Sequence, residues 1–292
     1  CIALSTAGCA WLEPRPAPLD AARFAQIDSA IHAVIGERRM PGAVFHLERA
    51  GMAYQKAFGA YSYEDGAAAV TPATVFDAAS LTKIVATAPS VMLLAEDGRI
   101  ALDAPLVRYL PECAGQGRDP ITVRHLLTHT SGLPAGLPAT PAWQGLARAL
   151  ELACSRTPTD APGTAFRYSD VNFILLGELV RRMSGMPLDR FAQARIFAPL
   201  GMRDSRFVPL AALDAARIAP TQRLAGDGLR LLQGEVHDPT ARRMAGVAGS
   251  AGLFTTAHDL ARFARMLLAG GELDGVRVLS RDSVRLMTTA QT

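Results

Sequence analysis

Between Asp20 and Met40 the apolar positions Phe24, Ile27, Ile31, Val34 and Ile35 recur every three or four residues, and Pro41-Gly42 closes the run. That period predicts a helix with one buried face. Residues 43–49 and 54–60 then read as two strands of a hairpin around Ala50-Gly51-Met52, and 74–76 as a third short strand. From Ser80 to Ala95 the pattern is almost wholly apolar and stops at Asp97-Gly98, which predicts a helix buried on all sides. Residues 134–165, rich in Pro, Ala, Gly and Thr, read as a surface connection beside a cleft, with one helix at 143–153. A helix over 171–183 takes Asp170 as its N-cap and ends at Gly185, and a last helix starts at Ser280 or Ser283 and runs to Met287.

The chain of 292 residues, 49% hydrophobic and 20% charged, can bury an ample core. No run reaches the roughly 18 apolar residues of a spanning helix; the longest, 84–95, contains Pro89. A net charge of +3 spread over dispersed arginines gives no basic stripe and excludes a nucleic-acid partner.

The basic residues include only two lysines, Lys56 and Lys83. Lys83 follows Ser80 by three residues in Ser80-Leu81-Thr82-Lys83, so on a helix the hydroxyl and the amine share one face. A serine attacks a carbonyl only when a base takes its proton, and a desolvated lysine can serve where arginine cannot. The apolar helix that follows desolvates Lys83.

His125 and His129 have the spacing of a zinc helix, but no glutamate follows His125 and Ser-Gly-Leu-Pro stops the segment. They read as histidines that satisfy backbone groups, with no metal. The absence of G-x-S-x-G, H-E-x-x-H, G-x-x-x-x-G-K and C-x-x-C removes rival catalytic patterns and implies no cofactor.

Residues 1–19 form a separate segment. Small apolar residues lead to Cys9 and a proline-rich tether from Pro14 to Pro18, resembling the end of a secretory signal before a lipid-modified cysteine, although Thr6 stands where leucine is usual. The expectation is an exported protein of the periplasm or cell envelope, its only membrane attachment a lipid on Cys9. Residues 20–292 then make the folded domain. Cys113 and Cys154 remain, and the sequence leaves their pairing open.

Four stretches in order, Phe-Asp-Ala-Ala-Ser80-Leu-Thr-Lys83, Leu-Leu-Thr-His129-Thr-Ser-Gly-Leu-Pro, Phe-Arg-Tyr168-Ser-Asp170-Val-Asn and Pro199-Leu-Gly-Met202, resemble the penicillin-recognising serine hydrolases. The resemblance is to the branch with class C beta-lactamases, low-molecular-weight penicillin-binding proteins and beta-lactamase-like carboxylesterases. Residues 234–238, 246–254 and 256–268 are similar to it as well. It implies an α+β fold, beta-lactamase/transpeptidase-like, with an antiparallel sheet flanked by helices and a mainly helical inserted region over 84–225. It further implies Ser80 as the acylated nucleophile, Lys83 as its proton acceptor, Tyr168 as a second acid/base group and the Ser80 amide as an oxyanion donor. Esters, D-Ala-ended peptides and β-lactams are the implied substrates, with peptidoglycan as a partner. Carboxylesterase or DD-peptidase activity leads; a beta-lactamase or a non-catalytic cell-wall binding module are the alternatives.

Three departures qualify that expectation. Asp170 stands where many relatives have asparagine, a position assigned to substrate positioning, and its charge would favour the protonated amine of Lys83 unless it is solvated or turned away as the cap. Ser250 replaces a histidine in Gly249-Ser250-Ala251-Gly252. The Lys- or His-led Thr/Ser-Gly of the relatives has no match, because His129-Thr130-Ser131-Gly132 falls too early in the chain. The expectation is therefore that the sequence is a fragment whose parent carries this motif beyond Thr292, and that the fragment alone aggregates.

Overall fold

The computed structural model describes residues 21–49, 51–207, 215–224 and 230–291. The segment with Cys9 lies outside the described residues. Eight short strands follow in order among the described residues: β1 (Gly42–Arg49), β2 (Met52–Gly59), β3 (Phe76–Asp77), β4 (Gln222–Arg223), β5 (Leu231–Leu232), β6 (Phe254–Thr255), β7 (Glu272–Leu273) and β8 (Val276–Arg277). The hairpin is present, with Gly42 opposite Gly59 and Arg49 opposite Met52. Helix α1 (Ala21–Gly36) lies against it: Phe24 stacks on Tyr54 at 4.0 Å, Tyr54 donates to Asp28 at 2.8 Å, and Lys56 pairs with the same carboxylate. One of the two lysines is thus committed to holding α1 in place.

The fold is the α+β arrangement expected, with helices and short antiparallel strands. Among the described residues the strands form four separate antiparallel pairs, β1–β2, β3–β6, β4–β5 and β7–β8. Strand β3 is only two residues long because the chain turns immediately after Asp77 to start the Ser80 helix.

The remaining helices are α2 (Ala88–Glu96), α3 (Val123–Leu127), α4 (Leu146–Cys154), α5 (Asp170–Ser184), α6 (Leu188–Ala192), α7 (Pro239–Arg243), α8 (Ala257–Leu268) and α9 (Arg281–Thr288). Helix α5 is the core element, buried without interruption from Val171 to Val180. Its Glu178 is buried too. Burial alone would push that carboxyl up, and hydrogen bonds from Arg181 and Arg182, both at 2.7 Å, outweigh it and hold the group below the ordinary glutamate value.

Two sequence expectations change here, and one open question closes. Helix α4 starts at Leu146 rather than Trp143, since Gly145 sits at φ 88 and the buried Trp143 indole donates to the Pro138 carbonyl at 2.8 Å. The cap of α5 is Ser169, not Asp170: the Ser169 backbone is extended, its hydroxyl accepts from the Asn172 amide, and Asp170 becomes the first helical residue. Cys113 and Cys154 form a disulfide that ties the loop before α3 to the end of α4.

Candidate active site

Strand β3 delivers the chain to Ser80 through a turn held at several points. The Asp77 carboxylate accepts from the Ala79 amide and the His237 amide, both at 2.7 Å, while the Ala78 amide donates to the Leu253 carbonyl at 2.8 Å. Ala79 takes φ 45, a left-handed conformation that costs free energy in a non-glycine residue and survives because its neighbours fix it. The Thr82 hydroxyl donates back to the Ala79 carbonyl at 2.7 Å and accepts from the Leu253 amide. Ser80 emerges exposed at the helix start. Its amide makes no hydrogen bond among the described residues, as the open end of a helix allows.

The helix beyond Ser80 is not uniformly α. Lys83–Thr87 form a π-helical turn, in which the Ala88 amide reaches the Lys83 carbonyl five residues back. Pro89 supplies a reason, since its ring crowds the carbonyl four residues earlier and it has no amide to donate; a wider turn relieves both. Lys83 is 3% exposed. Its Nζ lies 3.1 Å from Ser80 Oγ, 2.8 Å from the Ser250 carbonyl and 2.6 Å from Asp170 Oδ1. An ammonium has three N–H groups, and these contacts engage all of them. The Tyr168 ring covers the same ammonium, its centroid 4.8 Å from Nζ, with the Phe173 ring at 5.7 Å.

The Ser250 carbonyl reaches Lys83 because two glycines let the backbones touch. A Cβ on Gly249 would stand 1.9 Å from the Phe173 carbonyl, and one on Gly177 would stand 3.0 Å from the Gly249 amide. Helix α5 therefore packs directly on the 249–250 loop, and the Thr87 hydroxyl fixes that loop by donating to the Gly249 carbonyl at 2.7 Å. The Ser250 hydroxyl is buried and has no hydrogen-bond partner among the described residues.

The segment from His129 to Ala135 forms the back wall for Tyr168 and Asp170. Arg167 donates its amide to the His129 carbonyl at 2.8 Å, Ser169 its amide to His129 Nδ1 at 3.1 Å and its hydroxyl to the Pro134 carbonyl at 2.7 Å, and Asp170 its amide to the Ala135 carbonyl at 2.7 Å. The His129 ring packs on Tyr168, Phe173 and Phe166 with centroids 4.6, 5.1 and 5.9 Å away. His125 accepts the Thr122 amide in a capping box at the start of α3. Both histidines satisfy backbone groups, as their sequence context predicts. Among the described residues no cluster of His, Cys, Asp and Glu could hold a metal ion.

Burial pushes the His129 imidazole down from 6.5 to about 4, and the nearby Lys83 charge acts in the same direction. Nδ1 accepts, so Nε2 carries the proton. The unfolded chain takes up a proton near pH 6.5 while the fold keeps His129 neutral until about 4. This contribution is thus complete above the upper value and lost as the pH falls through the window, by about 3 kcal/mol in all. His129→Asn removes the titration, and asparagine tolerates the φ of 58 found there. Urea unfolding of the variant should lose less stability between pH 7 and 4 than that of the wild type; the same loss in both proteins would refute the assignment.

The structure brings Ser80, Lys83, Asp170 and the Tyr168 ring into one cluster. The Tyr168 hydroxyl makes no hydrogen bond to Ser80 or Lys83. Asp170 is neither turned away nor a cap but the direct ion-pair partner of Lys83. The sequence gives no sign of the Ser250 carbonyl at Lys83. It is a backbone group with no residue signature.

An exposed serine with a buried lysine against its hydroxyl stands on a helix start between a small antiparallel pair and a helical region. The beta-lactamase sequence profile matches residues 27–292, and the chain belongs to the beta-lactamase family. A protein of Escherichia coli K12 provisionally named D-alanyl-D-alanine carboxypeptidase is 33% identical over 271 residues, covering 81% of this chain and 62% of its own. The chain therefore spans about three fifths of the length of the curated relatives it matches. A class C beta-lactamase of Rhodobacter sphaeroides superposes with a TM-score of 0.71 at 25% identity, over 90% of this chain and 69% of its own. The octameric penicillin-binding protein homologue of Pyrococcus abyssi shares the fold, with a TM-score of 0.75 at 24% identity over 91% of this chain and 60% of its own.

Proposed function

We propose that the protein is a serine hydrolase that forms an acyl-enzyme on Ser80 and acts on esters or D-Ala-ended peptides. The observation that carries this reading is the 3.1 Å contact between Lys83 Nζ and Ser80 Oγ, with the lysine buried and the serine open to solvent. In the arrangement described, Lys83 donates to Ser80. Acylation requires it first to lose a proton, after which the neutral amine takes the proton of Ser80 as Oγ adds to the substrate carbonyl. The free Ser80 amide is placed to donate to the developing oxyanion. Collapse of the adduct returns the proton to the leaving group from Lys83, with Tyr168 as the adjacent phenol able to relay it. Water then hydrolyses the ester on Ser80.

The provisional name of the Escherichia coli relative supports a D-alanyl peptide substrate, and the class C neighbour supports a β-lactam as an alternative acyl donor. The Cys113–Cys154 disulfide supports an oxidising compartment and hence export. Cys9 is the candidate site of lipid attachment.

Incubation with a labelled penicillin, followed by intact-protein mass, tests the reading. The expected result is an adduct, or consumption of the penicillin, with the wild type and neither with Ser80→Ala. Equal behaviour of the two proteins toward penicillin and toward a p-nitrophenyl ester would exclude Ser80 as the nucleophile.

A further inference from the structure

We infer that Asp170, with the exposed faces of Tyr168 and Phe166, forms a subsite for a protonated amine on the substrate, beside Ser80. This rests on the serine-hydrolase reading and names the substrate class it favours. Asp170 is 35% exposed, and Lys83 engages its Oδ1. The other carboxylate oxygen makes no hydrogen bond among the described residues, although a carboxylate can accept several. Two aromatic side chains stand open on the same loop, Phe166 at 67% and Tyr168 at 44% exposure. Both rest against His129, and Tyr168 already holds one ammonium, that of Lys83, over its ring. A carboxylate and open aromatic rings carried on one loop are the chemistry that recognises an ammonium group.

The other charges nearby leave Asp170 available. Arg167, three residues away, is tied to Asp160 at 3.0 Å. His129 stays neutral above a pH of about 4. Lys83 is thus the cation that the carboxylate serves, and its remaining oxygen is open to solvent.

The subsite also connects binding to chemistry. While Asp170 serves Lys83 alone, it stabilises the ammonium that donates to Ser80 Oγ, and an ammonium accepts no proton. A substrate amine that takes the second carboxylate oxygen shares that negative charge and adds a positive one beside Lys83. The neutral amine of Lys83 is the form that acts as base. Its lone pair takes the Ser80 proton as the Oγ–C bond forms, and gives it to the departing alcohol or amine as the C–O or C–N bond breaks. The favoured substrates are therefore amino-acyl esters or peptides with a free amine close to the scissile carbonyl.

The test compares the p-nitrophenyl esters of D-alanine and of propionic acid, which differ by the amine alone, each corrected for its uncatalysed rate. The wild type should prefer the amino ester in kcat/KM by about tenfold to a hundredfold, the worth of one charge-assisted hydrogen bond. Asp170→Asn should lose the preference while turning over the propionate ester faster. Phe166→Ala, a change at an exposed side chain with little bearing on folding, should reduce the preference. A wild type without preference, or an Asp170→Asn variant that keeps it, overturns the proposal. Calorimetric binding of D-alaninamide and propionamide to Ser80→Ala protein separates the two readings. Binding of the amine that depends on Asp170, without turnover of either ester by the wild type, would keep the subsite and remove the hydrolase reading. Equal binding of the two amides would remove the subsite whatever the esters show.

Discussion

The Lys83→Ala variant should hydrolyse a p-nitrophenyl ester about 10²–10⁴-fold more slowly than the wild type, the range for losing a positioned general base. Among the described residues Lys83 is the titratable group within hydrogen-bond reach of Ser80 Oγ, at 3.1 Å; His129 makes no hydrogen bond to it, and Asp170 is joined to the site through Lys83. If Ser80 and Lys83 act as one unit, combining Lys83→Ala with Ser80→Ala should cost almost nothing beyond the larger single effect. Additive losses in the double variant would show that the lysine works elsewhere, for instance by holding the Ser250 loop through its 2.8 Å bond to the carbonyl. Because Lys83→Ala also opens a cavity at a buried position, the kinetic comparison belongs with Lys83→Met, which keeps most of the volume while leaving the Asp170 carboxylate equally without its partner. The two substitutions should agree in rate and differ only in stability.

Replacing Cys113 and Cys154 by alanine should lower the unfolding free energy by about 4 kcal/mol, the chain-entropy value for a loop of this length. The two cysteines lie 41 residues apart, and the bridge closes the segment that carries α3, His129 and all of α4. Urea unfolding of the double alanine variant, against the wild type with and without a reductant, measures it. Reductant should move the wild type to the midpoint of the variant and leave the variant unchanged. An unchanged midpoint in the wild type would mean that the bond adds nothing to stability. The consequence reaches the site, because the turn after α3 carries the His129 and Pro134 carbonyls to which the Tyr168 loop is hydrogen-bonded.

Much of this protein was legible in the chain because local rules decided it. The period of Phe24, Ile27, Ile31, Val34 and Ile35 gave α1, and the alternating runs around Gly51 gave the hairpin. Ser80 and Lys83 could be paired from a spacing of three residues, since a helical turn fixes that distance whatever surrounds it. The order of four short motifs was enough to indicate the family.

What the chain did not reveal depends on contacts between distant segments. Asp170 read as a helix cap by its position before an apolar run, but the neighbouring Ser169 won that place because its hydroxyl could also reach the Pro134 carbonyl. Asp170 was thereby left free to meet Lys83, 87 positions earlier in the chain. The Ser250 carbonyl entered the site through the contact of Gly249 with α5, which no local pattern encodes. The pairing of Cys113 with Cys154 was likewise open until both ends were placed. The sequence alone determined which chemical groups a helical turn would set side by side. Only the tertiary structure decided which charge faces the lysine between them, because a carboxylate acts on an ammonium through its distance and its solvent exposure, and long-range packing sets both.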